Sequence, residues 1–263
     1  MNIAVCVKQV PDTNEVKINQ ETGTLIREGV PSIMNPDDKN ALEAALTLKD
    51  DNRASVTVLS MGPPQAKSAL KEALAMGADE AYLISDRAFG GSDTWATATI
   101  MAAALEKTGP YDAIFCGRQA IDGDTAQVGP EIAEFLGIPQ ITYVKELKMS
   151  PDGFEAIRYT ETGGYHMAVK GPVLFTAIKE LNQPRYPKIG SIFRYYDQED
   201  VIRTLTLDDL DIDITQIGLK GSPTNVFRSF VPVKEKRTEM IEGLNGKEKA
   251  AVLVDKLSGL KLI

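Results

Sequence analysis

Histidine is almost absent from this chain: His166 is the only one in 263 residues. That removes the HExxH and HxGH motifs, each of which needs two histidines, and no recognised triad arrangement surrounds His166. Cysteine is nearly as scarce. Cys6 and Cys116 stand in apolar runs with no CxxC or metal-ligand spacing, so buried thiols acting as small hydrophobes are expected and no metal site is. Positive charge is in deficit. Lys and Arg total 29 against 37 Asp and Glu, a net charge of −8, which argues against nucleic acid or an anionic membrane as partner. No apolar stretch approaches the roughly 18 residues that cross a bilayer. "MNIAVCVKQV" enters a strand at once, without a basic n-region, so no leader is expected and the chain reads as cytoplasmic.

What is present is strand–helix alternation over the first 145 residues. "IAVCVKQV", "SVTVLSM" (55–61), "AYLIS" (81–85), "YDAIFCG" (111–117) and "QITYV" (140–144) are apolar, β-branched runs. A helix is expected to open at Asn35-Pro36, with Ala41, Leu42, Ala45 and Leu46 as its stripe. A second opens at Pro63-Pro64 and stops at Gly77, a third follows Asp93, and a fourth runs from about Thr125 to Gly137. The fold class is therefore α/β, a doubly wound and mostly parallel sheet. From about 146 the pattern becomes a hairpin pair containing His166, then a buried strand (172–178) and a Pro-punctuated connection (179–192). An acidic turn-and-helix segment follows at 207–216. Residues 1–225 are expected as the α/β domain, and 226–263 as an extended arm ending in a helix striped by Ala251, Val252, Val254, Leu257 and Leu260.

Ligands of such sheets sit off the carboxyl ends of the strands. Two loops there carry small residues before a helix: "FGGSDT", with Gly90 and Gly91, and "AIDGDTAQVG", with Gly123. Neither is GxGxxG or GxxxxGK[ST], so no motif names the ligand. One reading gives free amides and a positive helix end facing phosphate. The other makes Asp93, Asp124 and Thr125 ordinary helix caps. The acids Asp122 and Asp124 suit hydrogen bonds to ribose or adenine better than contact with phosphate.

Taken in order, "AVCVKQVPD", "MNPDDKNALEAAL", "SMGPPQAKSALKEALAMGADEAYLISD", "GRQAIDGDTAQVGPEIAEFLGIPQ" and "ELNQPRYPKI" resemble the β subunits of electron-transferring flavoproteins over essentially the whole chain. The resemblance implies a Rossmann-like, adenine-nucleotide-binding α/β domain and a partner α subunit carrying FAD. It implies nucleotide contacts at Cys6, at Asn35, Pro36, Asp37 and Asp38, and at Met61. Further contacts are implied at Asp122, Gly123, Asp124, Thr125, Ala126 and Gln127, and at Val128, Gly129, Pro130, Glu131, Ile132 and Ala133. In simple carriers this pocket holds AMP; in the electron-bifurcating branch it holds a second FAD that accepts hydride from NADH.

"DRAFGGSDTWATA" is similar to the bifurcating branch, adding Gly90, Gly91, Ser92, Asp93, Thr94 and Thr97, although Trp95 stands where relatives are often smaller. In that branch electrons go to ferredoxin or flavodoxin and, through the α-subunit FAD, to a flavin dehydrogenase of acyl-CoA or lactate type. No catalytic acid, base or nucleophile is expected. The connection 179–192 is similar to the family's recognition loop, with Leu181, Pro184, Arg185, Tyr186 and Ile189 as docking residues. A PP-loop-type ATP-dependent enzyme would want glycine in "KQVPDTNEV", which has none; a stress-type nucleotide-binding module would be a homodimer without redox chemistry.

Overall fold

The computed structural model describes residues 1–12, 17–18, 25–26, 31–198, 200–224 and 238–263. The chain divides into two units, Met1–Arg228 and Ser229–Ile263. The first opens with β1 (Asn2–Cys6) and β2 (Gln9–Pro11), then the short strands β3 (Lys17–Ile18), β4 (Leu25–Ile26) and β5 (Ser32–Met34). Next come α1 (Pro36–Asn52), β6 (Ser55–Met61), α2 (Lys67–Met76), β7 (Glu80–Ile84), α3 (Thr94–Thr108), β8 (Ala113–Gly117) and α4 (Val128–Phe135). β9 (Gln140–Ser150), β10 (Gly153–Thr160) and β11 (Gly163–Val169) form an antiparallel meander. β12 (Val173–Ala177), α5 (Ile189–Tyr196), β13 (Arg203–Leu205) and α6 (Gly218–Gly221) complete the unit.

The large sheet has the order β11-β10-β9-β12-β8-β1-β6-β7-β13. Every pairing from β9 to β13 in that order is parallel. Burial on both faces explains the continuous apolar strands: all five residues of β8 and of β12 are buried. Alternate residues feed two apolar layers. Ile3, Val5, Val56 and Val58 pack with Leu42 and Leu46 of α1 and Leu70 of α2. Ala4, Leu59 and Ile84 pack on the other face with Ile100 of α3 and Ile132 of α4. The chain runs outward from β1 through β6 to β7, then crosses back to β8 beside β1. The carboxyl ends of β1 and β8 thus form the topological switch point, where such sheets bind ligands.

The doubly wound, mostly parallel sheet agrees with the sequence reading, and several details differ from it. β9 continues to Ser150 and pairs with β10, so the hairpin is a three-stranded meander. The acidic segment 207–216 forms two 3-10 turns, Leu207–Asp209 and Ile214–Gln216, because Asp209 and Asp213 bond back to the backbone of Thr206 and Thr215. Edge strand β13 is too short and polar to announce itself. The extended tail 220–243 and the expected 225/226 boundary fall largely outside the described residues.

In the second unit Asn245 caps α7 (Gly246–Gly259), accepting from the amides of Lys247 and Glu248. Lys256 pairs with Glu239, and Leu253 and Val254 are exposed on the helix.

Gly117 closes β8 at the switch point. A Cβ there would strike the Asp38 carboxylate and lie 2.7 Å from the Asp38 amide nitrogen. Gly123 has open space around it. Gly117→Ala is expected to lower stability by about 1–3 kcal/mol through overpacking, and Gly123→Ala by less than about 0.5 kcal/mol. Urea denaturation of the two variants checks the contrast.

Candidate functional site

The switch point is built by the first turn of α1. Asn35 precedes Pro36, whose fixed φ starts the helix without needing an amide donor. This places Asn35 and Asp38 between the ends of β1 and β8, both buried. Asp38 Oδ2 accepts from the Lys8 amide at 2.7 Å, and Oδ1 accepts from the Gly117 amide at 3.1 Å. Asn35 Nδ2 donates to Asp38 Oδ1 at 3.0 Å and to the Gln119 carbonyl at 2.9 Å, while Asn35 Oδ1 accepts from the Ile121 amide at 3.1 Å. One helix turn therefore ties β1, β8 and the loop 118–127 into a single unit. Burial outweighs these donors and pushes the Asp38 carboxyl up to about 7.

The loop acids find their counter-groups inside the chain. Lys8 Nζ reaches both oxygens of Asp122, at 2.8 and 3.0 Å, and Gln119 Nε2 donates to Asp124 Oδ1 at 2.7 Å. Arg118 Nε lies 3.2 Å from Asp37 Oδ2, an ion contact without hydrogen-bond alignment, and burial pushes Asp37 up against that attraction. Lys8, Arg118 and Gln119 were not singled out in the sequence; their signal was the acids they answer, across a sheet spacing that only the topology supplies.

The two small-residue loops differ. Asp93 caps α3, accepting from the Ala96 amide at 3.0 Å. Gln127 gives α4 no side-chain cap, so Asp124 and Thr125 are not its caps; Asp124 and Ala126 take left-handed φ values of 51° and 54°. The first amides of α4 follow the carboxyl end of β8 without a side-chain cap, an arrangement that can receive an anion. Gly129 in its first turn approaches the sheet closely: a Cβ would come 2.9 Å from Thr176 Cγ2 and 3.4 Å from Cys116 Cβ. Ile132 and Ala133 are buried in the apolar layer beneath, while Glu131 accepts from Thr94 Oγ1 at 3.2 Å and so joins the starts of α3 and α4.

Gly90–Thr94 is engaged by α6 and the residues that follow it, 218–224. Ser92 Oγ accepts from the Gly218 amide, the Asp93 amide donates to Ser222 Oγ, and Asp93 Oδ2 accepts from the Thr224 amide. A Cβ on Gly91 would meet Leu219 Cβ at 3.0 Å. Cys6 ends β1 on the crevice side, Met61 ends β6, and Thr97 lies one turn into α3 with its amide bonded to Asp93 O.

The connection after β12 is fastened to α1. Asn40 and Asn182 exchange hydrogen bonds at 2.8 and 2.9 Å. Arg185 grips Glu43 with Nε and Nη2, both at 2.9 Å, and Asp50 with Nη1 at 2.8 Å. Leu181 packs on the core, so Leu181 and Arg185 fasten the loop, and Pro184 is half-buried between them. Outward stand Tyr186, Ile189, Phe193 and Tyr196, each more than 70% exposed. The stretch 189–196 is helical, so Phe193 and Tyr196, just past the connection expected to end at 192, join the exposed surface without being among the docking residues expected from the sequence. A period-3.6 apolar stripe (Ile189, Ile192, Phe193, Tyr196) was the available signal.

The electron transfer flavoprotein domain family matches residues 22–193. An electron transfer flavoprotein subunit beta of Thermoanaerobacterium thermosaccharolyticum is 57% identical over 263 residues, all of both chains. The chain belongs to the electron transfer flavoprotein family, among its β subunits. The electron transfer flavoprotein relatives include the caffeyl-CoA reductase-Etf complex subunit CarD of Acetobacterium woodii, 53% identical with full coverage of both chains. They also include the acryloyl-CoA reductase electron transfer subunit gamma of Anaerotignum propionicum, 49% identical over 98% of each. Among the described residues no helix is long and apolar enough to cross a membrane, and no acid, histidine and cysteine cluster could hold a metal ion.

Asp38 makes the crevice sensitive to pH. Its folded value near 7 lies above the ordinary carboxyl value of 3.8, so its contribution is fully present below about pH 4 and is lost as pH rises through 7. The melting temperature of wild type relative to that of Asp38→Asn should therefore fall as pH rises from 4 to 8. Parallel curves would contradict this.

Proposed function

We propose that this chain is the β subunit of a flavin-based electron-bifurcating complex, binding FAD in the β1/β8 crevice and taking electrons from NADH. The observation that carries the reading is the uncapped N-terminus of α4 at the switch point, beside a crevice whose loop is fixed by Asn35 and Asp38. These residues suit an adenine dinucleotide: helix-start amides for phosphate, and the carboxylates of Asp122 and Asp124 for hydrogen bonds to ribose or adenine. When bound, FAD supplies hydride acceptance and one-electron transfer, which side chains cannot perform. The chain's own residues bind and orient. The α4 amides offset phosphate charge, the Asn35/Asp38 staple fixes the loop, and Gly129 lets the helix end approach the sheet.

The proposed partners are an α subunit with its own FAD, ferredoxin or flavodoxin as low-potential acceptor, and a flavin dehydrogenase. The names of the caffeyl-CoA and acryloyl-CoA reductase relatives favour a CoA-thioester reductase in that last role. Tyr186, Ile189, Phe193 and Tyr196 are the proposed docking surface, since an ordinary crossover would bury such side chains. α7, with its exposed Leu253 and Val254, is proposed to pack on the α subunit.

A second reading, AMP as a fixed structural ligand in a plain electron carrier, is favoured by one observation. The amides and caps around Gly90–Thr94 are already engaged by 217–224, which leaves α4 as the free anion cradle. Cofactor analysis and anaerobic NADH titration of the αβ complex separate the two. Two FAD per heterodimer, bleached by NADH, is the expected result; one FAD with AMP and no bleaching would sink bifurcation.

Docking is tested by Phe193→Ala with Ile189→Ala. Electron delivery to the dehydrogenase should fall at least tenfold, with nucleotide content unchanged. Unaltered delivery would remove the α5 surface from the account.

A further inference from the structure

Cys6 and Cys116 are direct partners in the register of the parallel strands β1 and β8. Strand alternation sends both to the same face: Ala4 and Cys6 on β1, and Ile114 and Cys116 on β8, all border the α3/α4 layer. The pair sits at the carboxyl ends of these strands, one residue before Gly117. Cys116 is buried under Gly129 of α4, whereas Cys6 is partly exposed, and both are free thiols. Nothing in the cofactor-binding account uses two thiols in contact.

The spacing decides what such a pair can do. Neighbouring strands lie about 4.8 Å apart, inside the roughly 4.4–6.8 Å Cα range that a disulfide spans. Side chains on parallel neighbours stand side by side, while disulfide Cβ atoms are about 3.8 Å apart. Closing the bond therefore needs the strand ends to draw in slightly, which makes it reducible rather than a permanent staple.

We propose that Cys6 and Cys116 form a redox-active dithiol at the floor of the crevice, closed to a disulfide by a peroxide. The accessible Cys6 thiolate attacks the peroxide oxygen, breaking the O–O bond; water leaves and Cys6 carries a sulfenic acid. The Cys116 sulfur then attacks the Cys6 sulfur, the sulfenic hydroxyl leaves as a second water with the Cys116 proton, and the S–S bond forms. Two thiol hydrogens and hydrogen peroxide yield two waters. The bond tightens β1 against β8 directly beneath the Asn35/Asp38 staple and the end of α4. A change in nucleotide retention follows from that, and this consequence rests on the nucleotide reading above; the cross-link itself does not.

The test is peptide mass mapping of the full chain in its αβ complex after hydrogen peroxide, with alkylation under denaturing conditions. The expected result is a linked peptide pair containing Cys6 and Cys116, about 2 Da lighter than the two thiol peptides. Dithiothreitol should reverse it, and Cys6→Ser or Cys116→Ser should abolish it. In Cys116→Ser, Cys6 should instead run on to the sulfinic acid. Sulfinic Cys6 in the wild type with Cys116 still alkylatable, or two free thiols, overturns the proposal. Released nucleotide is measured on the same samples. A cross-link without any bound nucleotide would count against the nucleotide reading and leave the dithiol standing.

Discussion

The site depends on a buried polar staple. Asn35 and Asp38, in and beside the first turn of α1, take the backbone of Lys8, Gly117, Gln119 and Ile121 as partners. Polar groups are expensive to bury unless they are bonded, and each of these is. A helix start that receives the Lys8 and Gly117 amides fixes the chain where it leaves the paired ends of β1 and β8. The crevice is thus a consequence of where Pro36 begins the helix.

The same helix serves a second purpose further along. Its buried polar residues continue through Asn40 and Glu43, and these hold Asn182 and Arg185. The crevice and the exposed aromatic surface are therefore both referenced to one rigid element. Glu43 and Arg185 form a forked, largely buried pair, whose value lies in geometry more than in stability. An α5 that presents Phe193 and Tyr196 to solvent needs such an anchor, since its own apolar side chains contribute little to the core.

Much of this was legible in the sequence. The alternation of apolar runs with helix signals indicates the parallel sheet, and "MNPDD" marks the turn that becomes the staple. What the residues alone could not show was the pairing between distant loops. Asp122 and Asp124 looked uncompensated because Lys8 and Gln119 reach them only once β1 and β8 are neighbours. The engagement of Ser92 and Asp93 by Gly218 and Ser222 was invisible for the same reason. α5 was obscured by the prolines before it, which suggested a loop where a helix begins at Ile189.

The central claim is that the crevice is built by the chain itself and only then filled. Amide hydrogen exchange in the nucleotide-stripped protein tests it most directly. The amides of Lys8, Gly117 and Ile121 should exchange about as slowly as that of Phe115 in the middle of β8, with little change when nucleotide is added back. Fast exchange at those three amides without nucleotide, and strong protection with it, would show that the ligand makes the crevice and would contradict the account.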